Sequence, residues 1–171
     1  MAKIKALLVD DEPLAIRGLN IRLEPYEDIE IIGTCANGRD AVKAIKEQKP
    51  DLVFLDIQMP GFDGFSVVRS LVGEVEIPLV IFVTAFDEYA LEAFETHALD
   101  YLLKPVDEDR LEEAISRVRE ALSQRAAIEQ NARLVGLNEN MDNPQKEALT
   151  AIIDTAAAAK QGRDDTQLVR K

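Results

Sequence analysis

Five short apolar runs alternate with five stretches of helical spacing, and this alternation constrains the chain more than any other feature. The runs are Ile4–Val9, Ile29–Thr34, Leu52–Leu55, Leu79–Val83 and Leu99–Leu103. They are rich in Ile, Val and Leu and bounded by polar or turn residues, the pattern of strands buried on both faces. The first helical stretch follows Pro13, which suits a first helical position, and is marked by Leu14, Ile16, Leu19 and Leu23. Asn37 is a candidate N-cap for the second, marked by Ala41, Val42 and Ile45. Phe65, Val68, Leu71 and Val72 mark the third; Ala90, Leu91 and Phe94 the fourth, behind Asp87; Leu111, Ile115, Val118 and Leu122 the fifth, behind Asp107. Such alternation implies parallel crossovers. The expected fold class is α/β: a doubly wound, five-stranded parallel sheet of order 2-1-3-4-5 with a C-terminal helical extension.

In sheets of this kind the functional groups gather at the carboxyl ends of the strands. Here the first strand ends in Asp10-Asp11, followed by Glu12, and the third in Asp56, followed by Ile57-Gln58-Met59-Pro60-Gly61. The fourth ends in Thr84-Ala85 and the fifth in Lys104-Pro105. Each alone has an ordinary explanation: an acidic pair before Pro13 serves as a helix N-cap, and a lone Asp serves as a turn residue. Their joint occurrence at four of the five strand ends argues for a site. Two carboxylates about 4 Å apart repel by about 4 kcal/mol at an effective dielectric of about 20, a cost that a divalent cation removes. Hard oxygen donors without Cys or His suit Mg²⁺ or Mn²⁺. A cation with Lys104 and Thr84 would trap the equatorial oxygens of a phosphoryl group in transfer, with Asp56 as the nucleophile.

Composition narrows the function. The 171 residues carry a net charge of −12, and nearly all of it, −11, lies in residues 1–128. So acidic a surface disfavours gripping a phosphate backbone. One cysteine, Cys35, permits no internal disulfide and fits a reducing, cytoplasmic setting. No apolar run approaches the length of a membrane span, so no membrane partner is expected. The single histidine, His97, reads as a surface or capping residue and Cys35 as packing.

Four segments carry a resemblance. They are Leu7-Leu8-Val9-Asp10-Asp11-Glu12-Pro13, Leu55-Asp56-Ile57-Gln58-Met59-Pro60-Gly61, Val83-Thr84-Ala85 and Tyr101-Leu102-Leu103-Lys104-Pro105. Together they make residues 1–125 similar to the receiver domains of two-component response regulators, whose fold is the flavodoxin- or CheY-like sheet already expected. Phe86–Phe94 and Ala98–Pro105 resemble the LytTR (LytR/AlgR-type) regulators in particular. The resemblance implies that Asp56 is the phosphoacceptor, that Asp11 binds Mg²⁺ directly and Asp10 largely through water, and that Gln58 offers its backbone carbonyl to the metal. It implies that Thr84 and Lys104 contact phosphoryl oxygens, that Tyr101 is the switch aromatic, that Pro105 follows a cis peptide bond, and that Phe86 shields the acyl phosphate from water. The implied partners are a sensor histidine kinase and a second copy of the chain on phosphorylation. The implied role is regulation of transcription, without catalysis beyond the protein's own phosphorylation and dephosphorylation.

LytTR regulators carry a C-terminal DNA-binding domain of mainly β structure, for which residues 129–171 are too few. Residues 126–171 are therefore expected to be a helical linker or tail, with DNA reached only through a domain absent from this chain. A break is expected between Leu134 and Asn143, then one amphipathic helix over 144–161 striped by Leu149, Ile152, Ile153, Ala156 and Ala157. Two other classes stand as alternatives: a haloacid-dehalogenase-type phosphatase, which requires Asp-x-Asp where this chain has adjacent Asp10 and Asp11, and a phosphorylation-independent interaction module with a vestigial pocket.

Overall fold

The computed structural model describes residues 3–73 and 76–137. Its elements run β1 (Ile4–Val9), α1 (Pro13–Leu23), β2 (Ile29–Cys35), α2 (Gly38–Gln48), β3 (Leu52–Leu55), α3 (Gly64–Leu71), β4 (Leu79–Thr84), a 3-10 turn (Asp87–Tyr89), α4 (Ala90–Glu95), β5 (Asp100–Leu103) and α5 (Glu108–Leu137). The strands form one parallel sheet of order β2-β1-β3-β4-β5. This is the doubly wound α/β architecture expected from the alternation. The order reverses at β1, which pairs with β2 on one side and β3 on the other.

Period-two alternation splits the strand side chains between two cores. Leu7, Val9, Val53, Leu55 and Phe82 belong to one, with Ala41 and Ile45 of α2 and Phe65 and Leu71 of α3. Leu8, Phe54 and Val83 point the other way and line a cavity with Leu19 of α1. Of the stripe expected on α5, Leu111, Ile115 and Val118 are each 1% exposed or less and Leu122 is only partly buried, while Ala114 joins the buried face.

Local signals set several helix starts. The Asn37 Oδ1 accepts from the Asp40 backbone N–H at 2.8 Å, so Asn37 caps α2. Asp107 does the same at α5, accepting from the Arg110 N–H at 3.2 Å. Two residues past the end of α4, exposed His97 lies in the left-handed region (φ 61°), a position that terminates a helix.

The structure corrects two expectations. Leu14 is 80% exposed, because it lies about 140° around the helix from Leu19 and does not share the face on which Leu19 and Leu23 are buried. Leu103 is 45% exposed, because β5 is an edge strand paired only with β4. α5 runs through Leu137, and the remainder of the Leu134–Asn143 span in which a break is expected lies outside the described residues. The division into compact units falls inside α5, between Ala121 and Leu122, and residues 123–134 are exposed. The amphipathic stripe expected over 144–161 lies outside the described residues. No helix among the described residues is long and apolar enough to cross a membrane.

Candidate functional site

Sheet register places the polar residues side by side. The Asp10 N–H donates to the Cys35 carbonyl at 3.0 Å and the Asp56 N–H to the Val9 carbonyl at 2.9 Å, so both acids emerge level at the rim. The Lys104 N–H donates to the Thr84 carbonyl at 2.8 Å, which holds the ends of β4 and β5 in step. The Lys104–Pro105 peptide bond is cis. Asp10 Oδ1 accepts from the Glu12 N–H at 2.9 Å and turns the chain into α1. Glu12 occupies the α1 N-cap without a side-chain cap bond, so capping does not account for the acidic pair.

The loop after Asp56 is shaped by close approach. Gly64 opens α3, and its N–H donates to the Ile57 carbonyl at 2.9 Å. A Cβ at Gly64 would lie 2.4 Å from the Asp56 carbonyl oxygen and 3.0 Å from Ile57 Cα, both backbone atoms. Gly64→Ala is expected to lower stability by about 1–3 kcal/mol and to displace the Asp56 backbone. Chemical denaturation together with the Asp56 amide resonance checks this, and an unshifted resonance would count against it.

One oxygen from each of Asp10, Asp11 and Asp56 lies within 4.8 Å of the others. Asp10 and Asp56 are buried, at 6% and 4% exposure. The Lys104 ammonium stands between them, 2.6 Å from Asp10 Oδ2 and 3.4 Å from Asp56 Oδ2. Thr84 is fully buried, and its Oγ1 finds no hydrogen-bond partner among the described residues. Burial and then the Asp10 charge push the Asp56 carboxyl up to about 6, against the opposing pull of Lys104. Burial works against the Lys104 charge, but the Asp10 hydrogen bond and the charges of Asp56 and Asp10 outweigh it and raise its pKa.

This donor set suits a hard divalent cation. Three carboxylates converge without sulfur or imidazole, and one ammonium is too little to balance them. The unpartnered Thr84 hydroxyl, costly to bury unless something accepts it, points to an oxygen-rich ligand.

The other expected site residues lie around this basin. Gln58 is exposed, and its Nε2 donates to the Tyr89 hydroxyl at 2.9 Å. Tyr101 is half-buried against the core, its hydroxyl donating to the Phe86 carbonyl, and burial raises its pKa. Phe86 is 40% exposed, with its ring edge-on to Tyr89 at 6.2 Å. Cys35 is partly buried against the core at the end of β2. Sequence reading missed Asp100, whose buried carboxylate binds Arg110 at 2.9 Å and Arg117 at 3.2 Å and ties β5 to α5. An acid between apolar residues in a strand was the available signal.

A family model described as response regulator receiver domain matches residues 6–116. The chain belongs to this family. Its receiver segment is 52% identical, over 120 residues, to the transcriptional regulatory protein BtsR of Salmonella typhi, a match covering 70% of this chain and 50% of that protein. The chain thus spans about half the length of the curated relatives it matches. Among solved structures, the response regulatory domain of mrkE from Klebsiella pneumoniae is similar at 35% identity and a TM-score of 0.65, over 70% of this chain and 98% of that one. A chain of the CheX-CheY-BeF3-Mg²⁺ complex from Borrelia burgdorferi is similar at 26% identity and a TM-score of 0.62, over 68% of this chain and 90% of that one. A histidine kinase is the partner class that a receiver domain implies, and receiver domains typically bind Mg²⁺ at an acidic cluster.

Proposed function

We propose that this receiver domain is a phosphorylation-dependent switch that takes a phosphoryl group from a sensor histidine kinase onto Asp56 with Mg²⁺ bound. The observation that carries this reading is the convergence of Asp10, Asp11 and Asp56, with the Lys104 ammonium against Asp10 and Asp56. Asp10, Asp11, Asp56 and the Gln58 carbonyl would hold the cation, which when bound neutralises the carboxylates and the incoming phosphoryl charge. An Asp56 oxygen attacks phosphorus, the P–N bond to the donor imidazole breaks, and an acyl phosphate remains. Lys104 lies close enough to pair with the new phosphoryl oxygens. Thr84 supplies a hydroxyl that has no other claim on it. The added charge of about −1.5 to −2 draws Thr84 toward the site, and Tyr101, now tied to the Phe86 carbonyl, repacks. The face of α4, β5 and α5 then favours a homodimer.

Transcription is the proposed output. BtsR is a transcriptional regulatory protein by name, and it extends well beyond the matched segment. Phe86–Phe94 and Ala98–Pro105 point to the LytTR type. On this reading residues 1–125 are the receiver, residues 126–171 are a helical linker or tail, and DNA is reached through an output domain beyond this chain, in the cytoplasm. The chain's only chemistry is then its own phosphorylation and dephosphorylation.

The test is intact mass after incubation with acetyl phosphate. One phosphoryl group is expected with Mg²⁺ and none with excess EDTA. Uptake indifferent to EDTA would defeat the metal-dependent mechanism.

A further inference from the structure

We propose that Tyr89 is a positioning residue for the metal-binding loop: its hydroxyl holds the Gln58 side chain and joins the loop after Asp56 to the segment after β4. The proposal rests on the reading of Asp10, Asp11, Asp56 and the Gln58 carbonyl as a Mg²⁺ site.

Gln58 stands two residues past Asp56, between buried Ile57 and Met59, which are 2% and 6% exposed. Its own side chain faces outward, and a glutamine so placed is ordinarily free to sample many rotamers. Here it is tied across 31 residues of chain, Nε2 to the Tyr89 hydroxyl at 2.9 Å. Tyr89 is a firm anchor. Its ring meets Phe65 edge-on at 6.0 Å and Phe86 at 6.2 Å, and Phe65 in turn contacts the fully buried Phe82 at 5.1 Å. The Phe86 carbonyl is itself taken by the Tyr101 hydroxyl. One side-chain hydrogen bond therefore connects the loop that carries Asp56 to the segment that follows Thr84.

A carbonyl that serves a cation binds it better when its loop is already ordered, because less freedom is lost on binding. The Gln58–Tyr89 bond supplies part of that order beforehand. Coupling of this kind is reciprocal. If Tyr89 strengthens Mg²⁺ binding, Mg²⁺ strengthens the Gln58–Tyr89 contact by the same factor. Metal occupancy then reaches the 3-10 turn by a route separate from Thr84 and ahead of any phosphoryl transfer.

The test is Mg²⁺ affinity by calorimetry on the full chain, for wild type, Tyr89→Phe, Gln58→Ala and the double variant. Phenylalanine keeps the ring contacts and removes only the hydroxyl. Tyr89→Phe is expected to weaken Mg²⁺ binding about two- to tenfold, the worth of one neutral hydrogen bond. Gln58→Ala should weaken it similarly, and the double variant should bind no more weakly than Gln58→Ala alone. Equal affinity in wild type and Tyr89→Phe, or losses that multiply in the double variant, would overturn the proposal. Should the wild type bind no Mg²⁺, the metal-site reading itself falls and the proposal with it. Metal-free thermal midpoints within about 2 °C of wild type are expected for both single variants. A larger drop in Tyr89→Phe alone, without a matching loss in Gln58→Ala, would assign the hydroxyl to packing and overturn the proposal.

Discussion

Asp56→Asn is expected to take up no phosphoryl group from acetyl phosphate and Mg²⁺, whereas the wild-type chain is expected to take up one. The substitution keeps the shape of the side chain and the surrounding packing, so the fold stays intact. It removes the carboxylate, and a neutral amide cannot form an acyl phosphate. Neighbouring acids do not readily substitute. Asp10 is held by Lys104 at 2.6 Å and by the Glu12 N–H at 2.9 Å, which occupy both of its oxygens. Intact mass gives an all-or-none result, a full increment against none. Persistent labelling of the Asn variant would move the phosphoacceptor to another residue and remove the central assignment.

The second large effect is on stability. In Mg²⁺-free buffer at pH 8, Asp56→Asn is expected to be more stable than wild type by up to about 3 kcal/mol. Burial and the Asp10 charge raise Asp56 from 3.8 in the unfolded chain to about 6 in the fold. Between those values the folded state holds more protons than the unfolded one, so wild-type stability falls as pH rises through the window. The Asn variant lacks this contribution. The difference between the two unfolding curves therefore opens between pH 4 and pH 6, stays constant above about pH 7, and closes below pH 4. Taking the difference cancels groups common to both proteins, such as Asp28. Its carboxyl is held below the usual range by the hydrogen bond to Arg119, and it loses stabilisation at the acid end instead. On the proposed reading Mg²⁺ would bind the folded protein and not the unfolded chain, and should raise wild-type stability more than that of the variant. Parallel urea-unfolding curves for the two proteins at pH 4 and pH 8 would show that Asp56 carries no such penalty.

Both expectations draw on residues that were legible before any coordinates. Asp10, Asp11, Asp56, Thr84 and Lys104 each follow a strand-like apolar run, and one parallel sheet brings such ends to one rim. The core stripe of α5 and the Asn37 cap were legible for the same reason, since each depends on neighbours within a turn or two of chain. Less legible were Leu14 and Leu103, which are apolar yet exposed. An apolar residue in a short helix or edge strand does not reveal which way its backbone faces, because partners distant in sequence set that direction. Asp100 was passed over because its arginines lie ten and seventeen residues away on a helix whose packing angle no local pattern encodes.

Periodicity in the chain was enough to specify a parallel α/β sheet and to nominate the acids, hydroxyl and ammonium at its rim, because hydrophobic pattern and turn chemistry act over short stretches. Three-dimensional packing alone settled that Lys104 sits nearer Asp10 than Asp56, that Thr84 is sealed in without a partner among the described residues, and that Gln58 reaches Tyr89. Distances of a few ångströms between side chains come from the summed register, twist and burial of every strand between them, and no local segment contains that sum.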